Sequence, residues 1–124
     1  MSAYNWIIVE GRCPTCGTET TMRAQTHVAS SYDGDASGRF HESEYRVGQA
    51  MRWWKRDDPR FQEWPADREL SRPEANDERE EEACYATCSN CNASLCVVLR
   101  FHENLAEAVV SISTEENWPA GYPK

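Results

Sequence analysis

The chain has 124 residues, enough for one domain, and it is acidic, with 21 Asp and Glu against 13 Lys and Arg and a formal net charge of −8. Leu, Ile, Val and Phe together provide only 17 residues, so we expect an ordinary hydrophobic core to need a further source of stability. The negative charge argues against a general nucleic-acid binder, because phosphate contacts from basic residues supply most of that affinity.

The sequence predicts neither a targeting segment nor a membrane span. The apolar run at residues 6–9 is too short for a signal-peptide core or a transmembrane helix. We therefore expect a cytoplasmic protein with no membrane partner, in which paired cysteines more often bind metal than form disulfides. Arg accounts for 11 of the 13 basic residues, which favours a bacterial source with a GC-rich genome.

The first half of the chain carries the pattern of β-strands. Residues 4–12 are rich in β-forming side chains, and residues 18–28 alternate with a period of two, which is typical of a half-buried strand. Residues 29–42 are rich in Gly, Ser and Asp and predict a loop. A third strand is expected at about 43–54, with Tyr45, Val47, Met51 and Trp53 on one face.

A strongly charged segment separates the two halves. Residues 55–83 contain 11 acidic and 6 basic side chains and three prolines. This composition predicts an exposed, partly mobile acidic insertion with a helical turn near 76–82. The solvated insertion is the simpler interpretation, and an acidic surface that recruits a basic partner is the alternative.

A β-hairpin is expected near the end of the chain. Alternation at residues 95–101 and again at 106–112 predicts two strands joined by a turn at 102–104, after a short strand at 83–87. The tail at 117–124 is too rich in Pro and Gly for a strand. Its aromatic residues either dock on the domain or contact a partner.

Four of the six cysteines form two Cys-x-x-Cys motifs, each at the end of a predicted strand. Cys13 and Cys16 precede Cys88 and Cys91 by 71 intervening residues. Two such turns can complete a tetrahedral four-sulfur shell for a structural Zn²⁺ ion. Closing the long loop costs about 4 kcal/mol beyond a constant, whereas structural zinc contributes on the order of 10–16 kcal/mol.

Other interpretations of the cysteines remain open. Cys13 and Cys16 could be a redox dithiol, although a strand pattern follows them rather than the helix that lowers thiol pKa values in redox motifs. Disulfide bonds are a further alternative. Cys84 and Cys96 are left over, and they are expected to be small buried residues. The alternatives are that one of them replaces a ligand or that Cys84 forms a reversible pair.

These motifs resemble a zinc ribbon, in which a strand, a cysteine turn and a strand precede a second strand, cysteine turn and hairpin. The resemblance covers the strands around both cysteine turns and does not extend to the insertion at residues 29–83. The chain is also similar to small bacterial zinc-ribbon-like proteins that carry a Tyr-x-x-Gly-x-x-hydrophobic-x-Trp segment between the two turns. Here that segment is Tyr45, Gly48, Met51 and Trp53. This similarity implies a zinc site and no particular activity.

A small cluster of aromatic and basic residues is the candidate partner-binding surface. Arg52, Trp53 and Trp54 are residue types that concentrate binding energy at protein interfaces. The longer run 52–56, which adds Lys55 and Arg56, has the pattern of surfaces that bind single-stranded nucleic acid, but Asp57 and Asp58 follow it directly and neutralise its charge. The alternative without a partner is a strand whose Trp53 packs inward and whose terminal charges prevent aggregation at the sheet edge.

We find no catalytic motif. His27, His41 and His102 share no metal-ligand spacing, and no nucleophile elbow or phosphate-binding loop is present. We therefore expect a single domain over 1–124, mainly β, with an antiparallel sheet of five or six strands and a four-cysteine zinc site. The expected function is a non-catalytic interaction module with a protein partner, for which the charge favours a basic one. The alternatives are a nucleic-acid-binding zinc ribbon of transcription or translation, and a dithiol or zinc enzyme.

Overall fold

The computed structural model describes residues 4–26, 31–35, 38–40, 42–52, 79–102 and 105–122. These residues are mainly β-structure, as the sequence predicts. The strands are β1 (Asn5–Arg12), β2 (Glu19–Thr26), β3 (Ser31–Asp35), β4 (Gly38–Phe40), β5 (Glu44–Arg46), β6 (Arg79–Cys88), β7 (Ser94–His102) and β8 (Leu105–Thr114), followed by a 3₁₀-helix at Glu115–Asn117. No helix in this part of the chain has the length and apolar character needed to cross a membrane.

Six strands form one sheet in the order β5-β1-β2-β6-β7-β8, and β3 pairs with β4 in a separate two-stranded sheet. The expected mainly β fold with a sheet of five or six strands is confirmed. All pairings in the large sheet are antiparallel except that between β1 and β5, which is parallel. The sheet is therefore mixed, with two antiparallel hairpins, β1–β2 and β6–β7, at its centre.

The two edges of the large sheet come together. After β5, the amide of Gly48 donates a hydrogen bond of 2.8 Å to the carbonyl of Ala106, and Ala50 forms a bridge with Leu105. These contacts join the β5 edge to the start of β8. The sheet thus curls around its apolar face and encloses the core on that side.

Alternate residues of β1, β2, β6 and β7 supply most of this core, as the period of two in the sequence predicts. Phe101 and Leu99 of β7 are fully buried, and burying such a side chain contributes about 1.5–3 kcal/mol. Tyr45 and Met51 close the core beside β5. The other apolar members are Ile7, Val9, Met22, Ala24, Ala86, Leu95, Val97 and Ala106.

The predicted helical turn near 76–82 is wrong where the structure describes it. Residues 79–82 belong to β6 and pair with residues 99–102 of β7. Opposite charges face each other across this pair, since Arg100 contacts the carboxylate of Glu81 at 3.2 Å. Cross-strand pairing of this kind stabilises a strand whose local charge density disfavours it. The rest of the predicted insertion, residues 55–78, lies outside the described residues.

Two further expectations for the first half need correction. Residues 29–42 were expected to be a loop, but they contain β3 and β4, which form a short hairpin. Of the third strand, expected at 43–54, the described residues 43–52 form only β5, because the chain turns immediately afterwards with Gly48 at φ 90°. Tyr45 and Met51 are buried as predicted, whereas Val47, expected on the same face, is 37% exposed.

The C-terminal tail docks on the outer face of the sheet. The ring of Trp118 lies 4.7 Å from that of Tyr85 on β6. Its indole Nε1–H donates to the carbonyl of Tyr122 at 2.9 Å, and the Tyr122 hydroxyl donates to the carboxylate of Glu81. Of the two alternatives for the tail, the structure shows docking on the domain.

Candidate metal centre

The two Cys-x-x-Cys motifs occupy the turns of the two central hairpins. Residues 13–16 lie between β1 and β2, and residues 88–91 lie between β6 and β7. Strands β2 and β6 pair near these turns, with Met22 opposite Cys88. This pairing places both turns at the same end of the sheet.

The two turns have the same backbone geometry. The carbonyl of Cys13 accepts a hydrogen bond of 2.8 Å from the amide of Gly17, and that of Cys88 accepts one of 2.9 Å from the amide of Asn92. Gly17 and Asn92 both have positive φ. We refer to residues 13–17 and 88–92 as the first and second knuckle.

Each knuckle directs a backbone amide at its first sulfur. The amide of Thr15 donates to Cys13 Sγ at 3.4 Å, and the amide of Asn90 donates to Cys88 Sγ at 3.3 Å. Such N–H donors stabilise negative charge on sulfur. The backbone of each knuckle therefore favours a negatively charged first sulfur, which is the form that binds a cation.

The four knuckle sulfurs form one cluster. The Sγ atoms of Cys13, Cys16, Cys88 and Cys91 all lie within 4.8 Å of one another. Cys13 and Cys91 are 3.8 Å apart, and Cys16 and Cys88 are 4.0 Å apart. Sulfurs around a tetrahedral Zn²⁺ with bonds of about 2.3 Å are separated by about 3.8 Å. The cluster has the dimensions of a four-thiolate site and could bind a metal ion.

The sulfurs differ in their tendency to ionise. Hydrogen bonds from the Asn90 side chain and then from Thr18 lower the pKa of Cys16 to about 6, and the backbone of Cys91 lowers the pKa of Cys88. The amide of Ala93 favours ionisation of Cys91, but desolvation and the neighbouring sulfurs outweigh it and raise its pKa to about 11. Four neighbouring sulfurs do not all carry charge easily unless a cation neutralises them.

Hydrogen bonds from Ser89 join the second knuckle to β2. The amide and hydroxyl of Ser89 both donate to the carbonyl of Thr21, at 3.0 Å and 2.7 Å, and its hydroxyl lies 3.0 Å from that of Thr20. Ser89 and Asn90 could not be predicted from the sequence, because a Ser-Asn pair inside a turn has no distinctive pattern. Only the pairing of β2 with β6 gives them partners.

Cys84 and Cys96 do not join the cluster. Both are buried, and burial raises both pKa values, with the Glu82 charge adding to the effect at Cys84. The Cys84 thiol donates to the Glu82 carboxylate at 3.2 Å. Among the described residues, the structure thus supports their interpretation as small buried side chains rather than as ligands.

The predicted partner surface is only partly described. Arg52 is half-buried, and its amide donates to the Tyr45 hydroxyl at 3.2 Å. Trp53 and Trp54 lie outside the described residues. The arrangement of the three side chains as a binding surface stays a prediction.

The side chains of Arg23 and His102 each have a partner within the fold. Arg23 stacks over the Trp6 ring at 4.1 Å and pairs with Glu44 at 3.1 Å. His102 lies 4.0 Å from the Glu107 carboxylate. His27 and His41 fall outside the described part of the chain.

A scan against protein-family models, a search of curated proteins and a search of solved structures each found no match for this chain. The four-cysteine cluster and its place in the sheet are therefore the features of this chain that bear on its function.

Proposed function

We propose that this protein is a zinc-ribbon-like β domain in which a structural Zn²⁺ ion joins two hairpins, and that it acts as a non-catalytic protein-interaction module. The observation that carries the proposal is the sulfur cluster, with all four atoms within 4.8 Å of one another. Tetrahedral four-sulfur sites select zinc or iron–sulfur chemistry. A closed shell of four cysteines is the common form of structural zinc.

The position of the cluster supports a structural role for the metal. Strands β2 and β6 pair only over Met22–Ala24 and Ala86–Cys88, whereas each central hairpin is paired along most of its length. A metal ion held by both knuckles would strengthen this short seam, which we call the β2–β6 seam. Zinc would then supply stability that the thin apolar core lacks.

The role of zinc can be tested with matched cysteine variants. Cys88→Ser removes a ligand, whereas Cys96→Ala changes a buried cysteine outside the cluster. We expect Cys88→Ser to lose zinc and to unfold at the temperature at which the chelated wild-type chain unfolds. Cys96→Ala should keep one zinc per chain, and thermal unfolding with metal analysis measures both. Equal zinc content in the two variants would contradict a four-cysteine zinc site.

Charge supports a protein partner rather than a nucleic acid. The chain has a formal charge of −8, and four thiolates with one Zn²⁺ would make it about two units more negative. Such a domain attracts a basic protein and repels phosphates. Arg52, Trp53 and Trp54 are the side chains that we propose to contact the partner.

The partner proposal has a distinct test. The zinc-loaded chain and a Trp53→Ala/Trp54→Ala variant are immobilised side by side and exposed to purified basic proteins over a range of salt concentrations. We expect binding to the wild-type chain that weakens with salt and is reduced in the variant. Salt-independent binding, or equal binding by both chains, would count against it. A low-salt gel shift with RNA or DNA is expected to show no complex, and a shift would favour the nucleic-acid alternative.

A further inference from the structure

The four sulfurs of the cluster differ in their burial and in the hydrogen bonds that they accept from the backbone. Cys13 and Cys88, the first cysteine of each knuckle, are fully buried, and each accepts a backbone hydrogen bond. Cys16 is half-buried and Cys91 is exposed. The second cysteines thus form the side of the centre that solvent and dissolved ligands can reach.

Asn90 holds one of these two outer sulfurs. Its side-chain Nδ2–H donates to Cys16 Sγ at 3.5 Å, while its backbone amide donates to Cys88 Sγ. One residue of the second knuckle therefore contacts sulfurs of both knuckles. Thr15 is the equivalent residue of the first knuckle, and within the described chain its side chain makes no such bond to Cys91.

Resting on the proposed function, we propose that a bound metal ion leaves and enters this centre at Cys91, while Asn90 keeps Cys16 in place as a ligand. In this exchange the metal–sulfur bond to Cys91 breaks, and the electron pair stays on the sulfur. A donor atom of an anionic chelating ligand, a carboxylate or a thiolate, binds the metal in its place. No electron is transferred in the step.

The location of the four ligands explains why exchange would begin at Cys91. Displacing Cys13 or Cys88 requires a fully buried sulfur to become exposed. Cys13 directly follows β1, and Cys88 is the last residue of β6, so both are held by core strands. Displacing Cys91 exposes nothing new, because its side chain already faces solvent. The metal can therefore be exchanged while the sheet stays folded.

Transfer of zinc from the full-length chain to EDTA tests the proposal, with circular dichroism recorded in parallel. We expect the transfer rate to rise with EDTA concentration and to exceed the rate of unfolding. Asn90→Ala should accelerate transfer roughly tenfold, the scale of losing a group that orients a metal ligand. Asn90→Asp, which keeps the size but lacks the donor, should do the same. Thr15→Ala is the matched control and should leave the rate unchanged.

The cysteine variants provide a second measurement. Cys91→Ser should still bind zinc and transfer it faster than the wild-type chain, whereas Cys16→Ser and Cys13→Ser should retain far less. Equal retention in Cys91→Ser and Cys16→Ser, or equal transfer rates for Asn90→Ala and Thr15→Ala, would overturn the inference while leaving the zinc site standing. Absence of zinc from the wild-type chain would overturn the proposed function, and this inference with it.

Discussion

Gly17 and Asn92 adopt the same left-handed backbone conformation, with φ of 70° and 62°, immediately after the second cysteine of each knuckle. In both cases the residue's amide then reaches back to the carbonyl of the first cysteine, Cys13 or Cys88. Glycine adopts positive φ without strain, and asparagine tolerates it better than most other residues. Two different residues thus produce one turn geometry, and the two knuckles become equivalent halves of one site.

Asn92 provides the first prediction. Asn92→Ala should lower the free energy of unfolding of the metal-loaded protein by about 1 kcal/mol, because alanine is strained at positive φ. Asn92→Gly should leave it unchanged or slightly raised. Urea denaturation of the two variants measures the difference, and equal destabilisation by Ala and Gly would show that the Asn92 side chain, rather than its backbone conformation, matters.

Gly11 provides the second prediction. A Cβ atom at this position would lie 2.6 Å from Ile112 Cδ1 across the interior of the curled sheet. Because Cδ1 is the end of the Ile112 side chain and can rotate away, Gly11→Ala should destabilise the protein by about 1 kcal/mol, at the low end of overpacking. Thermal or urea unfolding measures this loss.

The second substitution Ile112→Val supplies the control for Gly11. Valine lacks the Cδ1 atom that the new methyl group would meet, so the double variant should recover most of the stability lost by Gly11→Ala. An additive loss in the double variant would mean that β1 and β8 do not approach each other as described.

The strand pattern and the cysteine cluster could be predicted from the sequence because both are local signals. Alternation at 18–28 and 95–101 matches β2 and β7, and the two-residue spacing of the cysteines matches a turn that directs both sulfurs to one side. The pairing of distant strands is not a local signal. The hydrogen bond between Gly48 and Ala106 joins the two sheet edges. These residues are far apart in the chain, and no sequence pattern relates them.

Pairing between distant strands also explains why the predicted insertion extends too far. Local charge density suggested an insertion as far as residue 83, but the β6 residues from Arg79 onward pair with β7. Glu81 finds partners in Arg100 and in Tyr122 of the tail. Strand pairing and tertiary contacts overrode the local preference of an acidic run.

The docked tail provides the third prediction, a dependence on pH. The hydrogen bond from Tyr122, and then those from Arg100, lower the pKa of Glu81 below 4.5, so its contribution is present above that value and is lost as pH falls through the lowered pKa. The bond with Glu81 raises the pKa of Tyr122 above 10.0, so that contribution is present below 10.0 and lost as pH rises through the raised pKa. Docking should be tightest between these limits.

The indole N–H resonance of Trp118 reports on docking, because this group donates to the Tyr122 carbonyl. Its hydrogen exchange should be slowest between the two limits and faster at either extreme, after correction for intrinsic exchange. In Tyr122→Phe the Trp118 indole N–H should exchange faster between the two limits. Its exchange rate should also change less as the pH crosses either limit. A wild-type profile identical to that of Tyr122→Phe would show that the Glu81 contact does not hold the tail.

The β2–β6 seam provides the fourth prediction. Removing the metal should first expose the backbone amides of Met22–Ala24 and Ala86–Cys88, because these short paired segments lie beside the knuckles. Amides in the β7–β8 pairing should keep their protection longer. Hydrogen exchange with and without chelator measures the order of exposure. Uniform loss of protection in all strands would indicate that the metal stabilises the whole sheet rather than the seam.

The central claim is that four cysteines hold one structural zinc ion, and metal analysis with thiol titration tests it most directly. The protein is purified without added metal, and free thiols are counted before and after chelation. We predict one zinc per chain, release of four thiols on chelation, and a lower unfolding temperature once the metal is removed. A chain that contains no metal and has lost thiols in pairs would contradict the claim and would indicate disulfides or a redox dithiol instead.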